Sequence, residues 1–147
     1  MRDLPGSVLF ACTLNAIRSP MAEAVAKHLL GRLVFVDSVG VRAGEMDGFA
    51  VAVMDEIGID ISGHRPKTFD ELEDESFDLV ITLSPEAQHR AVEMTRTMAC
   101  EVEFWPTLEP SAVEGSREVV LAAYRQVRDT LARRIEERFA IAPPPRV

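Results

Sequence analysis

The chain has 147 residues, of which 47% are hydrophobic and 27% charged, and its formal net charge is −8 at pH 7. Length and composition are typical of one globular domain with its own core, so we predict a single domain over residues 1–147. The negative charge disfavours nucleic acid and anionic membranes as partners, because both attract basic surfaces.

The first third of the chain predicts a strand, a helix and a second strand. "SVLFAC" (7–12) and "RLVFVDSVG" (32–40) are short apolar runs typical of buried strands. Between them, "SPMAEAVAKHLLG" is rich in helix formers and ends at a glycine. We expect Ser19 to be the N-cap of this helix and Pro20 its first helical residue.

The rest of the chain continues the alternation of strands and helices. We predict helices over 49–57, 85–99 and 116–139, strands over 77–84 and 100–107, and a frayed tail over 141–147. Such alternation indicates an α/β fold, with a parallel sheet covered by helices on both faces. Ligands of these sheets bind beyond the carboxyl ends of the strands, most often at the loop after the first strand. That loop runs from Cys12 to Arg18.

The two cysteines, Cys12 and Cys100, are too few for a disulfide framework, and no Cys/His cluster has zinc spacing. We interpret Cys100 as a small hydrophobic residue at the entry of a strand. The run "SVLFAC" is too short for a signal-peptide core, and no apolar stretch reaches membrane-spanning length. We therefore expect a cytoplasmic protein.

The loop after the first strand combines three features that suit an oxyanion. A strand-to-helix loop aims several backbone N–H groups into one concavity, and the helix dipole adds positive potential. The planar fork of Arg18 matches two oxygens of a tetrahedral anion. The same potential favours the nucleophilic thiolate form of Cys12. Attack on phosphorus or arsenic is therefore indicated; the alternative is a structural cysteine beside a surface arginine.

The segment "VLFACTLNAIRSPMAEA" resembles the active-site loop of the low-molecular-weight protein tyrosine phosphatases and of the arsenate reductases that share their fold. The resemblance continues in order through "VDSVG", "GIDISGHRPK", "FDLVITLS" and "WPTLEPSAVEG", so it spans nearly the whole chain. It implies a three-layer sandwich of the phosphotyrosine phosphatase I type, in which a four-stranded parallel sheet with flavodoxin-like topology lies between helices.

The resemblance also implies roles for single residues. Cys12 would be the nucleophile that forms a cysteinyl-phosphate, Arg18 would bind two non-bridging oxygens, and Glu109 would stand at the position of the general acid. The phosphate would be bound by the loop residues Thr13, Leu14, Asn15, Ala16, Ile17 and Arg18. No metal or other cofactor is expected, because Arg18 and the backbone N–H groups would neutralise the charge.

Four residues would support the loop according to the same resemblance. Asn15 would keep its strained shape with the help of Ser38 and His64, and Ser19 would donate a hydrogen bond to the cysteine sulfur. Three of them have an ordinary alternative: Ser19 as a helix cap, Ser38 as a turn residue and His64 as a loop histidine.

Four residues depart from the family pattern at the site. Leu14 replaces a loop glycine, which would be costly if that position requires φ > 0. Ile17 replaces a second loop cysteine. In the late loop, Glu109 replaces an aspartate and Ser111 a pocket tyrosine.

The leading hypothesis is a phosphomonoesterase that hydrolyses aryl phosphates or phosphotyrosine through a cysteinyl-phosphate. One alternative is an arsenate reductase that uses an external thiol, since no further cysteine pair is available for a relay. Another is a phosphate- or phosphoprotein-binding relative without turnover. The sequence gives no indication of the oligomeric state.

Overall fold

A computed structural model describes residues 4–72 and 76–139. Within these residues, four strands alternate with four helices: β1 (Ser7–Cys12), α1 (Arg18–Leu30), β2 (Phe35–Gly40), α2 (Gly48–Asp55), β3 (Leu79–Thr82), α3 (Pro85–Met94), β4 (Glu101–Phe104) and α4 (Arg117–Arg138). Single 3₁₀ turns at Phe69–Glu71 and Pro110–Ala112 precede β3 and α4. The predicted tail over 141–147 lies outside the described residues.

The four strands form one parallel sheet in the order β2-β1-β3-β4. The predicted parallel sheet is confirmed. Strand order reverses beside β1, because β2 pairs with one of its edges and β3 with the other. The carboxyl end of β1, at Cys12, is therefore the point where a ligand site is expected in such a sheet.

Side chains of β1 alternate between two cores, as the period of a strand requires. Val8 and Phe10 face a cluster that includes buried residues of α1, α2 and α4. Leu9 and Ala11 face a second cluster that includes buried residues of α3. Helices therefore cover both faces of the sheet, which explains why β1 is a continuous apolar run.

Helix ends follow local rules except where other contacts intervene. Ser84 caps α3, Ser116 caps α4, and Gly31 ends α1 at φ 59°. The prediction that α3 continues to residue 99 was wrong. Beyond Met94, the hydroxyls of Thr95 and Thr97 donate hydrogen bonds to carbonyls three residues earlier, a local alternative to further helix. No helix of the described residues is long and apolar enough to cross a membrane.

Candidate active site

The loop between β1 and α1 is held from outside by its carbonyl groups. The carbonyls of Cys12, Thr13 and Leu14 accept hydrogen bonds from the N–H groups of Val41, Arg42 and Gly44, at 2.9–3.1 Å. The carbonyl of residue 16 accepts from the N–H of residue 47 at 3.4 Å. These carbonyls are thus hydrogen-bonded to the segment 41–47. Within the described residues, the N–H groups of residues 13–17 donate no hydrogen bond.

Helix α1 begins at Arg18 without a side-chain cap, so the prediction of Ser19 as N-cap was wrong. Ser19 is fully buried and its hydroxyl serves the site instead. It lies 2.9 Å from the sulfur of Cys12, accepts a hydrogen bond from Asn15, and lies 3.3 Å from the carbonyl of Val39. Its single hydrogen goes to the sulfur or to that carbonyl. The uncapped helix start leaves its N–H groups available to an anion at the loop.

Arg18 is buried at the mouth of the loop with its guanidinium only partly paired. Nη1 donates to the carbonyl of Thr107 at 3.1 Å and Nη2 to the hydroxyl of Thr13 at 3.3 Å. Nη2 also forms an ion pair with Glu109, at 3.0 Å from Oε2. Nε is buried and has no partner among the described residues. A buried guanidinium N–H without an acceptor is costly, and an anion in the loop would satisfy it.

Asn15 has the one positive φ among non-glycine residues of the described chain, 54°. Asparagine tolerates this left-handed conformation better than most residues do. The backbone strain considered for position 14 is therefore located at Asn15 instead. Leu14 is 43% exposed and does not adopt a positive φ. The replacement of the family glycine by leucine does not oppose the backbone of this loop.

The side chain of Asn15 makes four hydrogen bonds, which use its full capacity. Its Nδ2 donates to the hydroxyls of Ser19 and Ser38 at 2.8 and 2.9 Å. Its Oδ1 accepts from the backbone N–H of Lys67 at 3.0 Å and lies 2.9 Å from Nε2 of His64. The Lys67 N–H can only donate, so the amide atom that it contacts is the acceptor oxygen Oδ1. The contact with His64 is therefore a hydrogen bond that the Nε2–H of the imidazole ring donates to the same oxygen. Asn15 is thereby joined to three segments: α1, β2 and the stretch 64–67.

The carboxylate of Glu23, which was not predicted from the sequence, supports this hydrogen-bond network. Glu23, on α1 and only 9% exposed, accepts a hydrogen bond from Ser38 and pairs with Lys27. Nδ1 of His64 lies 3.8 Å from the same carboxylate. Burial lowers the pKa of His64, and this outweighs the opposing effect of the Glu23 charge. A glutamate on the sheet-facing side of a helix is the signal that could have revealed it.

Gly40, at the end of β2, is a second residue that the analysis missed. A Cβ there would lie 2.5 Å from the carbonyl oxygen of Arg42, 2.7 Å from the backbone N of Asn15 and 2.8 Å from the backbone carbon of Leu14. All three are backbone atoms, which cannot rotate away. The glycine at the end of "VDSVG" is therefore explained by the close approach of β2 to the loop between β1 and α1.

Glu109 and Ser111 lie in the loop between β4 and α4, as predicted from the sequence. Oε1 of Glu109 accepts from the hydroxyl of Ser111 at 2.9 Å and from its N–H at 3.3 Å, while Oε2 pairs with Arg18. The ion pair with Arg18 thus places the Glu109 carboxylate beside the loop between β1 and α1. Thr107 adds the carbonyl that fixes the other end of the guanidinium, a backbone contact without a side-chain signal in the sequence.

All the residues predicted for the site are therefore gathered at the carboxyl edge of the sheet, through contacts that link each of them to the loop or to its neighbours. In residues 4–72 and 76–139, no group of three or more His, Cys, Asp or Glu side chains is placed to hold a metal ion. The chemistry available is that of a thiol, a guanidinium, a carboxyl group and a row of backbone N–H groups.

Comparison with known proteins gives a consistent result. The family described as low molecular weight phosphotyrosine protein phosphatase matches residues 7–140. An arsenate reductase of Bacillus subtilis (strain 168) is 35% identical over 130 residues, covering 88% of this chain and 92% of the relative. The crystal structure of a low molecular weight protein tyrosine phosphatase from T. tengcongensis has a TM-score of 0.75 and 28% identity, covering 91% of this chain and 97% of the other. An arsenate reductase in the phosphate binding state has a TM-score of 0.71 and 29% identity, covering 92% and 98%.

Proposed function

The chain belongs to the low molecular weight phosphotyrosine protein phosphatase family, and from this we propose that it hydrolyses aryl phosphates or phosphotyrosine through a cysteinyl-phosphate. The observation that carries the proposal is the convergence on one loop of the Cys12 sulfur, the half-paired guanidinium of Arg18 and the N–H groups of residues 13–17, which have no acceptor in the described part of the chain. These groups supply a nucleophile and donors for the equatorial oxygens of a phosphoryl group.

In the first proposed step, the Cys12 thiolate attacks phosphorus and the bond from phosphorus to the leaving oxygen breaks. Glu109 gives its proton to that oxygen. In the second step water attacks the cysteinyl-phosphate, Glu109 takes a proton from the water, and the S–P bond breaks to return the thiolate. The hydroxyl of Ser19, 2.9 Å from the sulfur, stabilises the departing thiolate.

Hydrolysis of p-nitrophenyl phosphate tests the proposal. We expect turnover by the native chain, complete loss in Cys12→Ser, and unchanged turnover in the matched control Cys100→Ser. Phosphate binding without turnover in the native chain would reject the phosphatase and favour a binding protein.

The general-acid role of Glu109 has its own test. A phenolate leaving group needs a proton as its bond breaks, and general acids contribute about 10²–10⁴-fold. Across a series of aryl phosphates, kcat/KM of the native chain should depend little on the leaving-group pKa. Glu109→Gln should make the dependence steep, with the largest loss for the poorest leaving groups. Parallel plots for the two proteins would assign the proton to another group.

Arsenate reduction is the second candidate, because curated relatives carry that name. An internal thiol relay to Cys100 conflicts with the geometry of the sheet. Cys100 precedes Glu101, which is in register with Val8 through Leu79. It is thus roughly 16 Å from Cys12 along the strands and two strands away, whereas disulfides need Cα atoms within about 7 Å. A reductase would need an external thiol, so arsenate-dependent consumption of glutathione is its test.

The proposed chemistry requires a reduced Cys12, which agrees with the cytoplasmic location expected from the sequence. The proposed partner is a phosphate-bearing molecule, either a phosphotyrosine protein or a small aryl phosphate.

A further inference from the structure

The ion pair between Arg18 and Glu109 uses the anion-binding edge of the guanidinium incompletely. Nε and Nη2 lie side by side on one edge, which can bind two oxygens of one anion. Glu109 contacts Nη2 through Oε2 at 3.0 Å, whereas Nε has no partner within the described residues. Nη2 is thus shared by Oε2 and the Thr13 hydroxyl, while Nε is left for a tetrahedral oxyanion.

Ser111 accounts for this partial contact. Its hydroxyl and its N–H bind the other carboxylate oxygen, Oε1, at 2.9 and 3.3 Å. With Oε1 directed to Ser111, a single oxygen remains for Arg18. The carboxylate is about one-third exposed, so it has space to withdraw toward solvent.

We infer that Glu109, positioned by Ser111, is the resting counter-ion of Arg18, and that the phosphoryl group of the substrate takes its place on the guanidinium. The inference rests on the proposed function, because it assigns the same site to a phosphate-bearing substrate. Ser111 is a positioning residue that acts through Glu109. Together they make entry of the substrate an exchange of one anion for another.

The exchange also releases the carboxylate. Glu109 is bound to Arg18 through Oε2 while the loop holds no anion. When a phosphoryl group takes Nε and Nη2, that contact is given up and the carboxyl group of Glu109 becomes available for the proton transfer proposed above.

Sulfate is a suitable probe, because it is a tetrahedral dianion whose charge is constant at neutral pH and which is not turned over. Its dissociation constant for the full chain can be measured by isothermal titration calorimetry at pH 7. Glu109→Gln keeps the size and the acceptor for Ser111 but removes the competing charge, so sulfate should bind roughly tenfold more tightly. Tighter binding is a result that a misfolded variant cannot produce.

The matched control is Glu86→Gln. Glu86 is the second residue of α3, at the same edge of the sheet, and pairs with Arg42 at 3.0 Å. This variant changes the net charge by the same amount at an exposed ion pair that does not include Arg18, and should leave sulfate affinity within about twofold, since exposed charges are screened. Equal gains in the two variants, or no gain in Glu109→Gln, would overturn the inference.

Ser111 is tested by a rescue pair. Ser111→Ala removes the hydroxyl that holds Oε1 away from Arg18, so both carboxylate oxygens can bind the guanidinium and sulfate should bind two- to threefold more weakly, roughly the effect of one hydrogen bond. Ser111→Thr keeps the hydroxyl and should restore the native affinity; a native affinity in Ser111→Ala would refute the positioning role. Because sulfate binding needs no turnover, failure to hydrolyse p-nitrophenyl phosphate would reject the proposed function separately from this exchange.

Discussion

Asn15 concentrates the strain and the polar contacts of the site in one side chain. Replacement by Ala would leave four former partners of a buried amide unsatisfied while keeping a Cβ at φ 54°. We expect a loss of about 3 kcal/mol in the free energy of unfolding, measured by urea denaturation.

Asn15→Gly is the matched variant, because it loses the same hydrogen bonds without the conformational cost. It should be more stable than Asn15→Ala by about 1 kcal/mol. Equal stability of the two variants would mean that the positive φ carries no strain.

His64 should make stability depend on pH. Burial lowers its pKa in the folded protein, with Lys67 and Lys27 acting in the same direction and Glu23 and Asp37 against it. The unfolded chain, with an ordinary histidine pKa near 6.5, therefore takes up a proton first as the pH falls. The stability that neutral His64 supplies is complete above about pH 6.5 and declines below it.

His64→Gln, which can still donate to Asn15, is the variant that isolates this effect. Urea unfolding between pH 7.5 and 5 should show a steeper loss of stability in the native chain than in His64→Gln. Identical slopes would contradict the lowered pKa. The other two histidines, His28 and His89, are present in both proteins, so their contribution cancels in the difference.

At the scale of elements, the contact between the end of β2 and the β1–α1 loop determines the shape of the site. Gly40→Ala would place a Cβ within 2.5–2.8 Å of three backbone atoms, two of them in the loop. We expect a loss of about 2–4 kcal/mol in stability, together with a loss of sulfate binding. Gly63→Ala, where a Cβ meets nothing within 4 Å, is the control and should be neutral.

The strands and the starts of α3 and α4 could be predicted from local pattern, because apolar runs and the residues that start a helix act within a few positions. The start of α1 could not, since Ser19 is drawn into contacts with Cys12 and Asn15 that only the folded sheet creates. The roles of Glu23 and Gly40 could not be predicted for the same reason, because their partners are distant in sequence. The predictions that relied on the family resemblance did place Asn15, Ser38 and His64 together, which periodicity alone could not do.

At the scale of the whole molecule, the two thiols lie at different ends of the sheet. Cys12 ends β1 and Cys100 precedes β4, so treatment with hydrogen peroxide or diamide should not join them within one chain. We expect mass spectrometry of the oxidised protein to show no internal disulfide, and added glutathione to give a mixed disulfide at Cys12. An internal Cys12–Cys100 disulfide would require a rearranged sheet, and it would support arsenate reduction with Cys100 as an internal thiol.

The hydrogen bonds that the loop carbonyls accept from the segment 41–44 affect how fast the backbone amide hydrogens exchange with solvent. Amide hydrogens of Val41, Arg42 and Gly44 are bonded to the loop whether or not an anion is present, and should exchange slowly in both states. Those of residues 13–17, which lack an acceptor in the described residues, should exchange rapidly until an oxyanion supplies one. Because the scaffold is already bonded, the ligand meets a surface that needs little ordering, so binding should add little entropic cost from the backbone. Deuterium uptake at these five amides would thus report occupancy of the site directly, without a chromogenic substrate.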